Sequence, residues 1–438
     1  MTAWTPNGLN ITRRGFLKTA GVAGVIGGGL TGVDMAAGGA KSKPHQALSP
    51  AHDPSQMSET HVDIADGDDV AGIIENVSDG ELLVFPEGEF RWSRTVLVTV
   101  DNWGIRGQPN DGTVFMVPEG HTGRELTDYH LRTIAKSSLE NPAGDNILLK
   151  NLTFDSTGRT NPGIRIGVRN RGHVENLHYR CNGTIGPDLM PSGMNALVQN
   201  KDGHLTIRNY VQHNNGRLSD YNGGDSRSGF HTGAGNFGTV TLIDPVLTGF
   251  PNNGCYVSRT PGRTEIVGGY LANNNVSNVR LSGAVTVCGT TMELDTETYA
   301  TGDGETTGGN DYNTRMVWGD ARQTARGPGG LVENCSFILH SYDRSQGLVD
   351  ILDNPSITVR NSQFLLEDEI TAVSADAGEI VLNNCTFTGE SSATAGSGDI
   401  TGDGNCVSGD IEPGDVPTSE QNCRSFEWNR VHPLGQSS

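Results

Sequence analysis

The chain reads as an all-β protein: a right-handed parallel β-helix solenoid of about eight to ten turns with an N-terminal helical cap. Three features lead there. Gly is frequent, 60 of 438 residues, and aromatics make up only 6%, a composition suited to many short strands and turns rather than helices. The phrase Asn-x-x-Phe returns as NLTF (Asn151–Phe154), NCSF (Asn334–Phe337), NSQF (Asn361–Phe364) and NCTF (Asn384–Phe387). Each copy follows a short alternating apolar run, the signature of a strand. Related segments start mostly about 20–35 residues apart, the spacing of stacked repeats.

Taken in order, residues 1–40 read as a twin-arginine export signal. Arg13, Arg14, Phe16, Leu17 and Lys18 precede a Gly-diluted apolar run, too short and too Gly-rich to span a membrane comfortably. Residues 41–60 read as a linker and 61–390 as the β-helix. Within it Val70, Ile73, Ile74 and Val77 recur at helical spacing and form the expected cap. Asn (or Asp or Gly) then marks one corner of each turn, where a left-handed backbone is least costly. The Phe three positions on should point inward and stack on its copies. A second strand set, including GIRIGV (163–168), GCYVSR (254–259), SNVRLSG (277–283), TRMVWGD (314–320) and LVDILDN (348–354), supplies one further strand per turn. Residues 391–438 form a Gly/Ser/Asp-rich tail, expected to be loosely ordered.

Charge excludes one class of partner. With 51 Asp+Glu against 31 Lys+Arg and a formal net charge of −20, no basic run could bind the phosphates of a nucleic acid. Acid spread along the whole chain suits a hydrated surface in high salt. Beyond the signal no segment is apolar enough for stable membrane insertion, so an extracellular or cell-surface location after export of the folded domain is expected. Of seven cysteines, Cys181, Cys255, Cys288, Cys335 and Cys385 lie in or beside apolar runs, where Cys acts as a small hydrophobe. Cys406 and Cys423 sit in the polar tail and could pair after export.

The cap, the turn Pro86-Glu87-Gly88, the strand WGIRGQ (Trp103–Gln108) and the Asn-cornered repeats resemble the secreted right-handed β-helix proteins of the pectin-lyase-like superfamily. The export signal and acidity resemble its haloarchaeal members. The resemblance covers residues 61–390. It implies a carbohydrate-active protein, pectate lyase-like, acting on a uronate-containing polysaccharide. The alternative is a non-catalytic glycan-binding or structural surface protein.

Three places then draw attention. The insertion 212–228 holds His213, Arg217, Asp220, Tyr221, Asp225 and Arg227, with His231 beyond it. Loops of this length are usually functional. Here Asp220 and Asp225 are expected to hold Ca²⁺, and His213, Tyr221 and Arg227 to contact sugar; the alternative is a solvated acidic turn. In Ser258–Arg263 the resemblance carries a catalytic Arg onto Arg259, followed by Pro261, with Arg263 one position earlier than that pattern expects. Arg259, Arg280 and Arg315 could form a row on one outer face that grips carboxylates. The alternative is a set of structural ion pairs with nearby Asp. His231 and Arg280 complete the catalytic set with Arg259. Finally, Asp399, Thr401, Asp403, Asn405 and Asp410 fall at the spacing of an EF-hand loop with Gly404 at its sixth position. The motifs expected of polygalacturonases and alginate epimerases are absent.

Overall fold

A computed structural model describes residues 57–116, 129–134, 143–156, 163–180, 192–213, 227–295, 315–320, 329–341, 347–352 and 356–418 apart from 369, 377, 390–391, 396–397, 410 and 412–413. These residues form a parallel β-helix. All strand pairings are parallel, and they fall into a 22-stranded and an 11-stranded sheet. The larger sheet bends at the Asn corner, so each turn has three faces. Face 1 precedes the corner, face 2 follows it, and face 3 is the 11-stranded sheet.

The corner behaves as the sequence demands. Asn151, Asn176, Asn209, Asp244, Asn334, Asn361 and Asn384 all have φ between 50° and 55°. Gly268, Gly289 and Gly404 take the same place with φ of 66–67°. Amides at successive corners join into a ladder: Asn176 Nδ2 donates to Asn151 Oδ1 at 2.9 Å, and Asn209 Nδ2 to Asn176 Oδ1 at 2.8 Å. A Cβ on Gly268 would lie 2.3 Å from Asp244 Oδ1 and one on Gly404 2.3 Å from Asn384 Oδ1, whereas one on Gly289 would have only Gly268 N nearby, at 4.0 Å.

Stacking like on like fills the interior. One column of face 1 runs from Leu149 through Val174, Ile207 and Leu242 to Ile266 in strict register. On face 2, Phe337, Phe364 and Phe387 stack with centroids 4.3 and 4.4 Å apart. The repeated phrase therefore builds an aromatic spine, with both hydrophobic and ring-stacking contributions.

The N-terminal end is closed. The short helix Ala71–Glu75 lays Val70, Ala71, Ile74 and Val77 on the first turn of the core. Strand Ser58–His61 pairs outside Glu81–Val84, so the ordered coil starts slightly inside the expected linker. At the other end the expected loose tail is corrected. Ser392–Ala395, Asp399–Asp403 and Cys406–Gly409 each pair onto the preceding turn. The coil thus runs a little past the expected length. This also removes the EF-hand reading of 399–410. Asp399, Thr401 and Asp403 lie along one strand, and buried Asn405 donates to the carbonyls of Leu382 and Pro417. A straight strand cannot wrap its side chains around an ion.

Burial makes most described thiols inert. Cys255, Cys335 and Cys385 are free and buried, and burial pushes Cys385 up to about 11. Cys288 is free and half-buried. Cys406 is disulfide-bonded, to a cysteine outside the described residues. No helix among the described residues is long and apolar enough to cross a membrane.

Candidate functional site

Connectivity selects face 3. From Thr239 onwards the corner between faces 1 and 2 takes two residues in every turn. The long connections 181–193, 214–229, 296–316 and 321–330 all enter or leave a strand of face 3. Insertions therefore collect at the two ends of face 3 rather than at the corner between faces 1 and 2.

Strand alternation sends every second residue of face 3 outward. The register aligns Arg165, Asn195, His231, Tyr256, Arg280, Trp318 and Asp350 on successive strands. Their inward neighbours Ile164, Met194, Phe230, Cys255, Val279, Val317 and Val349 are all buried in the core. A ladder of polar and aromatic groups thus runs along the coil, one rung per ~4.8 Å.

Two parts of this ladder differ in chemistry. Around Arg280 the outer face is locked. Its guanidinium lies 4.5 Å from the Tyr256 ring centroid and 3.9 Å from that of Trp318. Its Nε donates to Asp320 Oδ2 at 2.8 Å, and Ser258 Oγ donates to the same oxygen at 3.3 Å. Arg315 sits beside Trp318 and pairs with Asp350. These four charged groups are each under 9% exposed. For Arg280 and Arg315 the ion-pair alternative is therefore the observed one. Their carboxylates are already taken, which corrects their expected use as direct grips on a ligand.

Around His231 the balance is reversed. The His231 and Tyr256 rings meet edge to face at 5.3 Å, and the Arg259 guanidinium lies 5.1 Å from the same Tyr256 ring. Arg165 stacks on Tyr129 at 4.5 Å. Neither Arg165 nor Arg259 meets a carboxylate among the described residues, and the Nε of each is buried with no hydrogen-bond partner. Burial, reinforced by Arg259 and then Arg165, pushes the His231 imidazole down to about 4. His231 is neutral at pH 7. Asn195 Nδ2 lies 2.6 Å from His231 Nδ1; with the amide donating, Nδ1 accepts and the ring proton sits on Nε2.

The sign of that shift sets a pH dependence. The unfolded chain protonates His231 near its ordinary value, about 6.5, whereas the folded chain holds it neutral down to about 4. Stability contributed by neutral His231 is thus present above pH ~6.5 and lost as pH falls towards 4. Burial lowers His173 and His204 too, so the total slope is shared. His231→Gln should flatten part of it; a difference curve of unfolding midpoints that is level between pH 7 and pH 4 would contradict the assignment.

Other expected site residues fall elsewhere. Arg227 is 2% exposed and lies over the inward-facing ring of Tyr179, 5.9 Å from its centroid, so it is held within the wall rather than offered to sugar. Asp220, Asp225 and Tyr221 lie outside the described residues, as does the side chain of His213, the last residue of strand His204–His213. No group of three or more His, Cys, Asp or Glu is gathered as metal ligands among the described residues. Sequence reasoning missed Arg165, Asn195, Tyr256, Trp318, Asp320 and Asp350. Aligning the second strand set on its central outward position would have found all but Asn195, whose strand Met194–Val198 was not in that set, and Asp320, which stands two residues beyond Trp318.

No family model and no curated protein matches the chain. Solved structures similar to it include ORF18 of Geobacillus virus E2, at 13% identity and a TM-score of 0.40. That match covers 76% of this chain and 58% of the viral one, so this chain spans under two thirds of its length. DFA-IIIase from Arthrobacter chlorophenolicus A6 in complex with GF2 is similar at 11% identity and a TM-score of 0.49, over 78% and 91% of the two chains. The A-module of a mannuronan C-5 epimerase from Azotobacter vinelandii is similar at 14% identity and a TM-score of 0.37, over 81% and 93%. At such distances these likenesses carry no argument about chemistry, which rests on the site itself.

Proposed function

We propose that this is an exported, carbohydrate-active β-helix protein that receives an extended uronate-bearing glycan along the outer ladder of face 3. One observation supports it above the others: two guanidiniums with no carboxylate partner among the described residues, Arg165 and Arg259, flank neutral His231 on the face where the long insertions gather. In a chain of net charge −20, acid is available to neutralise almost any cation, as it does Arg280 and Arg315. Uncompensated, partly buried cations are costly, and a planar carboxylate relieves that cost by bidentate hydrogen bonding. A ladder repeated on every rung suits a polymer lying along the coil. In concentrated salt the screening length is only ~3 Å, so the protein's overall acidity does not repel an anionic ligand.

The reaction that fits is β-elimination. Arg165 holds the carboxylate and stabilises the charge that builds on it as the neighbouring C–H proton leaves. Arg259 takes that proton, the C–O bond to the next sugar breaks and a C=C bond forms; the departing oxygen, hydrogen-bonded by His231 Nε2–H, takes a proton from water, and the hydroxide left behind takes the proton back from Arg259. An arginine accepts a proton only after shedding its own, so the rate should climb into the alkaline range. Ca²⁺ at Asp220 and Asp225 belongs to the same proposal; no step is routed through it. Export by the twin-arginine route to the cell surface completes the reading.

The test is a screen of uronans in high salt for absorbance of an unsaturated uronate, with and without calcium. Product that is lost in Arg259→Ala supports the reading. Saturable uronan binding without product from any of them would make this a binding protein. The locking of Arg280 and Arg315 favours that second reading, because it leaves few free groups for chemistry.

A further inference from the structure

We propose that Asn195 is a positioning residue. Its side-chain amide holds His231 as the tautomer protonated at Nε2, so that this stretch of face 3 presents hydrogen-bond donors alone and selects an anionic group; that selection rests on the acidic-glycan reading, whereas the hold on His231 does not. Asn195 is 7% exposed and stands between Arg165 on one neighbouring strand and His231 on the other. Its amide nitrogen lies 2.6 Å from His231 Nδ1, so one side donates and the other accepts. Two arrangements satisfy that contact. Either Nδ2 donates to a bare Nδ1, or the amide turns over and Oδ1 accepts from a protonated Nδ1. The cation on the next rung decides between them. A guanidinium is positively charged and donates only, and Arg165 is near enough to act on the His231 ring beyond Asn195. The first arrangement turns Oδ1 away from His231, to the side where Arg165 stands. The second turns the amide NH2 there, donor against donor.

The ring is held in place as well. It meets the Tyr256 ring edge to face, and a Cβ on Gly233 would lie 2.9 Å from His231 Cε1 and 3.4 Å from Nε2. Gly233 therefore leaves the imidazole the room it occupies, and Nδ1 is committed to Asn195. Nε2 has no hydrogen-bond partner among the described residues and, unlike the Nε atoms of Arg165 and Arg259, is not a buried orphan. It is the nitrogen left for a ligand. Burial and the two arginines keep the ring neutral, so the tautomer decides what Nε2 offers. With Nε2 protonated, Arg165, Arg259 and His231 are donors together. A negatively charged acceptor satisfies all three, whereas a sugar hydroxyl leaves the two cations uncompensated.

Nitrogen-15 NMR of the full chain labelled at histidine tests this, with His231→Gln identifying the His231 signals. At pH 7 the wild type should show Nε2 protonated and Nδ1 bare. Asn195→Asp keeps the shape of the side chain but can only accept, so Nδ1 should gain a proton. Asn195→Ala should leave a mixture of the two tautomers. Asn195→Asp should also bind an oligouronate at least about tenfold more weakly, because its carboxylate takes up Arg165 and adds a like charge. Thermal melting checks folding, and the wild-type spectrum keeps the test decisive if a variant fails to fold. Nδ1 protonated in the wild type, or bare in folded Asn195→Asp, overturns the role of Asn195. Undiminished affinity in a folded Asn195→Asp whose Nδ1 has gained its proton overturns the selection of anions. The expected spectra with no oligouronate bound by the wild type remove the acidic-glycan reading and leave the hold of Asn195 on His231 standing.

Discussion

Replacing Arg315 by Ala is expected to lower stability by about 3–5 kcal/mol. Arg315 and Asp350 are 1% and 0% exposed and pair directly. Truncating the cation strands a carboxylate where water does not reach. Burial already raises the Asp350 carboxyl, and Arg315 opposes that rise. A carboxyl raised in the folded state binds its proton more readily there than when unfolded. The stability this confers is present below the unfolded value, about 3.9, and lost as pH rises through the folded value. The variant should therefore be least impaired in acid and most impaired near pH 7. Urea unfolding at pH 4 and pH 7 reads both effects, and the double variant with Asp350→Asn should recover much of the loss. A cost below about 1 kcal/mol, independent of pH, would mean that the pair is solvated like an ordinary surface bridge.

How much of this was legible depended on whether backbone or side chain carried the signal. The corner announced itself because a left-handed backbone restricts residue choice. Asn151, Asn176, Asn209, Asn334, Asn361 and Asn384 could be aligned without any structure, and the Phe spine followed three positions later. Face 3 has no such marker. Phe230–His231 and Cys255–Tyr256 are two-residue strands, and long insertions break their spacing. The set Arg259, Arg280 and Arg315 was visible from the second strand set, but it is not a row: the register lines Arg280 up with Tyr256 and Trp318, leaving Arg259 three residues past Tyr256 and Arg315 three before Trp318. The acids that lock two of its members were not, because Arg280 and Asp320 are 40 residues apart and Arg315 and Asp350 are 35 apart. Only the register brings them together. The last turn was missed for another reason. Ser392–Ala395 and Asp399–Asp403 carry too little apolar alternation to read as strands, yet a neighbouring turn already in place supplies their hydrogen bonds.

The second large effect concerns the two unpaired arginines. Cation and carboxylate that meet away from bulk water typically contribute 2–5 kcal/mol when one is truncated. Arg165 and Arg259 meet no acid among the described residues, so the loss on their removal should fall on binding. That separates them from Arg280 and Arg315, whose substitution would damage the fold first. In a titration of an oligouronate into the wild-type chain and into the double variant Arg165→Ala/Arg259→Ala, at fixed high salt, the wild type should saturate. The double variant should stay folded, as its melting transition reads, and bind at least about 100-fold more weakly. Undiminished affinity in a folded double variant would show that the anion is held elsewhere, and the proposed site on face 3 would have to be abandoned.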